Sequence, residues 1–342
     1  MKELVALLDN REVGAVIFDR NRLTFVYSDD WRGAPGAYPL SLSMPLAAKE
    51  HPHAAIEPFL WGLLPDNEII LGRWAQKFQV SPRNPFALLA HVGEDCAGAA
   101  QFVTRDRIGA LLALPPASTE WLDDSAVAAR LRALKTDASA WRLPQDAGQF
   151  SLAGAQPKIA LLFDGARWGV PSGRTPTTHV LKPPVGGFDG HAENEHLCLS
   201  LARALGMPVA RSEVRRFEGE PAIVVERYDR LAADGAIRRL HQEDICQALG
   251  VRPARKYQKD DGPGPKEITG LLRSHVLPLR TAAINTTPIN STNAEKSAQI
   301  LGEDIDTFLD ALIFNWLIAG TDAHAALGGE QHVVDRDGAL VG

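Results

Sequence analysis

THVLKPP, residues 178–184, followed by NEHLCLSLARALGM, residues 194–207, is the stretch on which the fold turns. The first segment is strand-like as far as Lys182 and stops at Pro183-Pro184, because proline cannot donate to a ladder. The second has helical spacing. Leu197, Leu201 and Leu205 fall at i, i+4 and i+8, which puts them on one face and predicts a helix packed by those leucines and closed by Gly206. Upstream, KIALLF (158–163) reads as a strand; downstream, VRRFEG (214–219) and PAIVVERYD (221–229) predict a hairpin around Gly219. A β-rich lobe carrying one packed helix is expected between residues 148 and 230.

Towards the N-terminus, LVALLD, AVIFD and LTFVYS, all within residues 4–28, are β-type runs. Helical material is expected from Ile56 to Val92. It includes a turn at Pro65-Asp66-Asn67 and an amphipathic segment with Ile69, Ile70, Trp74 and Phe78 on one side. Residues 115–145 read as a loop and then a helix, with Ser118, Thr119 and Glu120 offering caps ahead of Val127, Leu131 and Leu134. After residue 240 the pattern turns helical, interrupted by KYQKDDGPGPKE (256–267) and by the polar TAAINTTPINSTNAEK (281–296). The apolar run from Leu312 to Ile318 predicts a buried helix ending at Gly320.

A chain of 342 residues, 45% hydrophobic, has enough apolar material for two or three compact units. Its formal net charge of −6 argues against coating a phosphate backbone, so any DNA contact is expected through a partner. Cys96, Cys198 and Cys246 are far apart and odd in number, which indicates neither a disulfide framework nor a metal knuckle and points to a reducing cytoplasm. The opening MKELVALLDN is not a secretory signal, and no apolar run approaches the roughly 18 residues of a membrane helix.

Several residues have the chemistry of phosphoryl transfer, and each has a plainer reading beside it. SLAGAQPKIALL (151–162) sets small residues before a strand, where backbone N–H groups cradle phosphates; one glycine before a strand is also an ordinary turn. An inward-facing Lys182 suits nucleotide phosphates, whereas an outward one is a strand-end lysine. Glu195 lies at the flank of the leucine face, where it would hold Lys182 as an ion pair, and Glu193 points the other way. Either glutamate also complements the helix dipole. In VVERYDR (224–230) the backbone reads as a crossing segment reaching an adenine edge, with Glu226 or Tyr228 on ribose or ring, or the stretch is ordinary edge-strand polarity. Asp322, in TDAHAALGGEQHVVDRDGALVG (321–342), reads as a base or as a helix cap. Protein kinases place a metal-binding Asn five residues after the catalytic Asp. Here that position is Leu327, which cannot ligate Mg2+. Asp335 and Asp337 read as a turn between two short strands.

Taken in order, SLAGAQPKIALL, TPTTHVLKPP, ENEHLCLSLARALGM, VVERYDR, LHQEDICQALG, KYQKDDGPG and FNWLIAGTDAHA resemble the HipA family, the serine/threonine-kinase toxins of bacterial type II toxin–antitoxin modules. LLPDN (63–67) and GEDCAGAAQFV (93–103) look like that family's N-terminal region, so the likeness covers residues 1–325.

The resemblance implies an α+β, protein-kinase-like fold. An N-terminal subdomain would span 1–105, a β-rich nucleotide-binding lobe 106–235, and a partial helical lobe with the catalytic loop 236–342. It implies ATP and Mg2+ as cofactors and a HipB-like helix-turn-helix antitoxin as partner, with DNA reached only through that antitoxin and no membrane. The implied substrate is a serine of a protein such as an aminoacyl-tRNA synthetase. The family's phosphate loop falls on Leu152, Ala153, Gly154, Ala155, Gln156 and Pro157, and its autophosphorylated serine on Ser151. Its ATP lysine falls on Lys182, with Glu195 as partner, and its hinge on Glu226, Arg227 and Tyr228. Its base falls on Asp322, with His324 in the nucleotide-contacting turn.

The family's sequence continues AHAKN, several strands and a tyrosine-aspartate pair before a large helical region. Here AHA runs into ALGGEQHVVDRDGALVG, so the metal ligands are unknown and the helical lobe reads as truncated or frame-shifted. A kinase toxin is expected, the alternative being a catalytically dead module that binds antitoxin or nucleotide. Ser151 is expected to be a self-inactivating switch, since a phosphate of about −1.5 to −2 charge there would repel nucleotide phosphates.

Overall fold

The computed structural model describes residues 1–113, 119–137, 140, 151, 153–154, 156–184, 190–233, 235–276 and 305–318. The chain opens with β1 (Lys2–Leu8), β2 (Arg11–Asp19) and β3 (Arg22–Tyr27), joined by two-residue turns at Asp9-Asn10 and Arg20-Asn21. All four turn residues have φ between 46° and 66°, the backbone of type I′ hairpins, whose twist matches the strands they join. The short α1 (Asp29–Arg32), β4 (Glu50–Pro52) and three helices follow: α2 (His53–Gly62), α3 (Glu68–Phe78) and α4 (Pro85–Val92). Asn67 and Asn84 cap α3 and α4, each side-chain oxygen accepting from backbone N–H groups of the first turn. After β5 (Ala100–Val103), the first sheet is complete in the antiparallel order β4-β3-β2-β1-β5.

Burial follows position in this sheet. In β3 inward residues alternate with outward ones, whereas β1 is buried continuously from Leu4 to Leu8. Leu4, Ala6 and Leu8 face the main core, while Val5 and Leu7 pack against α5 (Arg105–Ala113) on the other side. A strand covered on both faces loses the alternating pattern.

The second sheet has the order β10-β11-β9-β7-β8-β6, built from β6 (Glu120–Leu122), β7 (Ile159–Phe163), β8 (Trp168–Val170), β9 (His179–Lys182), β10 (Ser212–Phe217) and β11 (Glu220–Glu226). Two helices serve it, α6 (Asp124–Thr136) and α7 (His191–Ala204), both packing on β10 or β11. One apolar cluster runs from Leu4 and Phe25 of the first sheet to Leu181 and Phe217 of the second, so the two sheets share a core. Beyond it come the hairpin β12 (Arg230–Ala233) and β13 (Ala236–Arg239), then α8 (Ile245–Ala248) and α9 (Pro265–Leu271). A separate cluster joins α8 and α9 to Ile305 and Phe308 of a helical stretch over 305–317.

Four local readings of the sequence are corrected here. The leucines of α7 do not pack: Leu197 and Leu205 are each 64% exposed, and the buried residues of that helix are Ala192 and Ala202. Small side chains bring the helix close to the sheet, and the leucine stripe faces away. Ile69 is likewise exposed, leaving Ile70 and Trp74 as the buried anchors of α3. Residues 120–122 form an edge strand, and the cap of α6 is Asp123, whose Oδ1 accepts from Ala126 N at 2.7 Å. In the 305–317 helix, Ile313, Trp316 and Leu317 are exposed where a buried run was expected. Its contact with the α8–α9 cluster is made by Ile305 and Phe308.

Candidate active site

Lys182 ends β9, in register with Ile223 of β11, and points towards α7. Its Nζ donates to Glu195 Oε1 at 2.6 Å, with both side chains about a quarter exposed. Glu193, two residues earlier, turns instead to Arg216 at 3.6 Å. Strand β9 and helix α7 thus bring one lysine and one glutamate together from opposite sides of a Gly/Pro-containing connection.

The loop before β7 begins at Ser151. That serine is 1% exposed, donates its hydroxyl to Leu63 O at 2.6 Å and donates its amide to Asp95 O at 3.0 Å. Gly154 has φ of +97°, a backbone that a side chain would strain, and a Cβ there would lie 2.7 Å from Lys158 Nζ. Lys158, which the sequence reading did not single out, donates to Ala153 O and so places a cation inside the loop. Gln156 Nε2 is buried without a protein acceptor. Leu152 and Ala155 lie outside the described residues, as do Asp322, His324, Leu327, Asp335 and Asp337.

The crossing segment Glu226–Tyr228 leaves β11 with Glu226 N donating to Arg211 O and Arg227 N to Thr178 O, both at 2.9 Å. Glu226 is exposed and Tyr228 half-buried. Arg227 is not directed at a ligand. Its guanidinium is buried, with Nε and Nη2 on Asp229, Nη1 on Thr177 Oγ1 and Nη2 also on Cys96 O.

Arg227 belongs to a buried charge cluster that sequence reasoning missed. Three guanidiniums, of Arg227, Arg230 and Arg239, meet two carboxylates, of Asp95 and Asp229, all on residues that are buried or nearly so. Burial opposes ionisation of Asp95, but Arg230, Arg239, Arg227 and the Thr177 N–H outweigh it, holding this carboxyl well below its usual range. Asp229 is lowered in the same way, by Arg227 and Arg230 against its own burial. Cys96 beside them has its thiol pushed up to about 12 by burial and by Asp95, which leaves it unreactive. The missed signal was the charge density of ERYDR directly after the apolar IVV, opposite the acidic turn GEDC.

With this geometry in place, comparison with known proteins is informative. Residues 4–103 match the HipA N-terminal domain and residues 150–326 the HipA-like C-terminal domain. The chain belongs to the HipA family. It is 39% identical over 323 residues to the Y4mE protein of Sinorhizobium fredii, covering 92% of this chain and 70% of that one. It is 33% identical over 261 residues to the serine/threonine-protein kinase toxin HipA of Shewanella oneidensis, covering 74% of this chain and 56% of that one. Among solved structures it is similar to the HipA of Shewanella oneidensis in complex with HipB and operator DNA. The TM-score is 0.69 at 29% identity, covering 94% of this chain and 71% of that one. The α+β architecture is the kinase-like HipA fold, and no helix among the described residues is long and apolar enough to cross a membrane.

Proposed function

We propose that this chain is a HipA-type serine/threonine kinase module that binds MgATP between β9, α7 and the loop beginning at Ser151. The observation that carries the reading is the 2.6 Å pair of Lys182 and Glu195. In kinases a strand lysine held by a helix glutamate presents its ammonium to the nucleotide phosphates. Leu152, Ala153, Gly154, Ala155, Gln156 and Pro157 form the phosphate loop, and the backbone of Glu226–Tyr228 receives the adenine. His324 is assigned to nucleotide contact. Asp322 is assigned as the base because GTDAHA falls within the stretch matched to the family's C-terminal domain. It accepts the proton of the target hydroxyl as the phosphoryl group leaves ATP. Bound Mg2+ supplies charge neutralisation at that group; no ligand from this chain is assigned to it.

The boundaries near residues 105 and 235 then separate an N-terminal subdomain, a nucleotide lobe and a helical part. A HipB-like helix-turn-helix antitoxin is the proposed partner, supported by the HipB complex of the similar solved structure. DNA is reached through that antitoxin alone. A serine of an aminoacyl-tRNA synthetase is the proposed substrate class, with cytoplasmic location.

Calorimetry and labelled ATP test the reading together. The parent is expected to bind MgATP, and Lys182→Ala and Glu195→Ala to weaken it at least about tenfold, since each removes a charge-assisted contact. Equal binding by the parent and both variants would refute the site. A second reading, a nucleotide-binding module without transfer, is favoured by Leu327 standing where kinases place a metal-binding Asn. Under it, MgATP binds while neither the chain nor any protein of a cell extract gains label.

A further inference from the structure

Asp95 lies in the connection between α4 and β5, outside the second sheet, yet it touches both ends of the proposed nucleotide site. Its backbone carbonyl accepts from Ser151 N at 3.0 Å, at the start of the phosphate loop. Its carboxylate faces the hinge. Oδ1 accepts from Arg230 Nη2 at 2.8 Å, and Oδ2 from Thr177 N at 3.1 Å and Thr177 Oγ1 at 2.8 Å. The Thr177 hydroxyl in turn accepts from Arg227 Nη1 at 2.9 Å, so Arg227 is joined to Asp95 through one side chain. Thr177 lies just ahead of β9, the strand that ends in Lys182.

Neighbouring groups fix this residue from its own side. Gly98 N donates to Asp229 Oδ2 at 2.7 Å, and the Cys96 carbonyl takes Arg227 Nη2 at 2.9 Å. Gly98 has φ of +72°, and a Cβ there would lie 2.8 Å from Gln242 N, so this turn admits no side chain. A fourth contact to the Asp95 carboxylate, Arg239 Nε to Oδ1 at 3.3 Å, completes the set, and such a buried carboxylate is costly to disturb because it would leave Arg230 and Arg239 as buried charges without compensation.

We infer that Asp95 is a positioning residue of the nucleotide site: it ties the phosphate loop to the hinge and to the β9 approach, so that a residue of the N-terminal region sets the spacing between phosphate and adenine contacts. The inference rests on the MgATP reading above. It adds that the N-terminal region is a working part of the site and that loop and hinge move together through one residue, its carbonyl holding the loop and its carboxylate the hinge.

The test compares the parent with Asp95→Asn, Thr177→Val and Arg252→Ala. The last breaks a bridge to Glu57 between the N-terminal region and the segment after α8 and leaves the bonds of Asp95 and Thr177 in place. MgATP affinity is measured by calorimetry, and amide exchange at Ser151 and Arg227 is measured without nucleotide. Asp95→Asn is expected to weaken MgATP at least about tenfold and Thr177→Val several-fold, the usual range for losing hydrogen bonds to a buried charge. Arg252→Ala should stay within about twofold even where it lowers the melting temperature. Exchange at Ser151 and Arg227 should rise together in Asp95→Asn and in Thr177→Val, although neither substitution removes the backbone acceptor of either amide. A residue that only stabilises the fold would lower the melting temperature and leave relative affinity and these two amides unchanged; that result overturns the inference. If Asp95→Asn does not fold, Thr177→Val, which keeps every charge, decides. A parent that binds no MgATP sinks the nucleotide reading, and the exchange measurement still decides whether loop and hinge are tied.

Discussion

Ser151 is anchored on both its polar groups, hydroxyl to Leu63 O and amide to Asp95 O, and is 1% exposed. A phosphoryl group reaches that hydroxyl only after the loop has left this position. Once there, a phosphate carries about −1.5 to −2 charge and has no proton to give the Leu63 carbonyl reliably, so the loop does not return. Ser151→Asp reproduces the negative charge and the lost donor, and is expected to weaken MgATP by calorimetry and expose the loop to protease. Ser151→Ala keeps the loop small but leaves the Leu63 carbonyl without its donor, lowering unfolding free energy by about 1 to 3 kcal/mol while affinity stays within a few-fold of the parent. If the aspartate variant binds as the parent does, Ser151 is an anchoring residue and not a switch. The serine was legible in the sequence because a family motif marks it. Its anchors were not, since Leu63 lies 88 residues away and nothing local couples the two positions.

At the scale of elements, α7 shows why patterns are read more safely for strands than for helix faces. The hairpin around Gly219 and the three N-terminal strands follow from β-type apolar runs and the turn residues between them, which act locally. The Lys182–Glu195 pairing also followed, because strand end and helix start are close in sequence. The helix face did not: leucines at i, i+4 and i+8 share a side, but periodicity does not say which side meets the sheet. The sheet selected alanines, Ala192 and Ala202, with Leu197 and Leu205 exposed. Substitutions separate the two arrangements. Leu197→Ala is expected to change stability by no more than about 0.5 kcal/mol, as at an open surface. Ala202→Leu inserts volume at a 2% exposed site and is expected to cost about 1 to 3 kcal/mol, read from denaturant midpoints at unchanged slope. The reverse ranking would mean that the leucines are the packed face.

Across the whole molecule, α2 and the connection between α1 and β4 are fastened to the segment following β13 by polar contacts, and these give stability a pH dependence. His241 Nε2 donates to Leu40 O at 3.0 Å, Gln247 Nε2 to Phe59 O at 2.9 Å, and Glu243 Oε1 accepts from Leu42 N at 2.7 Å. Burial pushes the Glu243 carboxyl up to about 8, against the lowering effect of its bonds to Ser41 and Leu42, and its Oε2 is buried without a partner. The folded protein therefore keeps a proton on Glu243 that the unfolded chain releases near pH 4.5, and stability is lost as pH rises between those values. Asp244, raised to about 7 by burial, acts with the same sign at lower pH. His241 acts oppositely: burial lowers it to about 4, so the unfolded state binds the extra proton and stability rises with pH up to 6.5. The opposing slopes overlap below pH 6.5, which leaves the interval from 6.5 to 8 dominated by Glu243. Unfolding free energy is expected to fall across that interval by on the order of 2 kcal/mol, about 1.4 kcal/mol per pH unit for one proton. Glu243→Gln keeps the acceptor for Leu42 N and has no proton to lose, so its denaturant-derived stability should stay nearly level where the parent's declines. Parallel curves for the two proteins from pH 6.5 to 8 would show that Glu243 ionises in place, with water or movement of the interface compensating its charge.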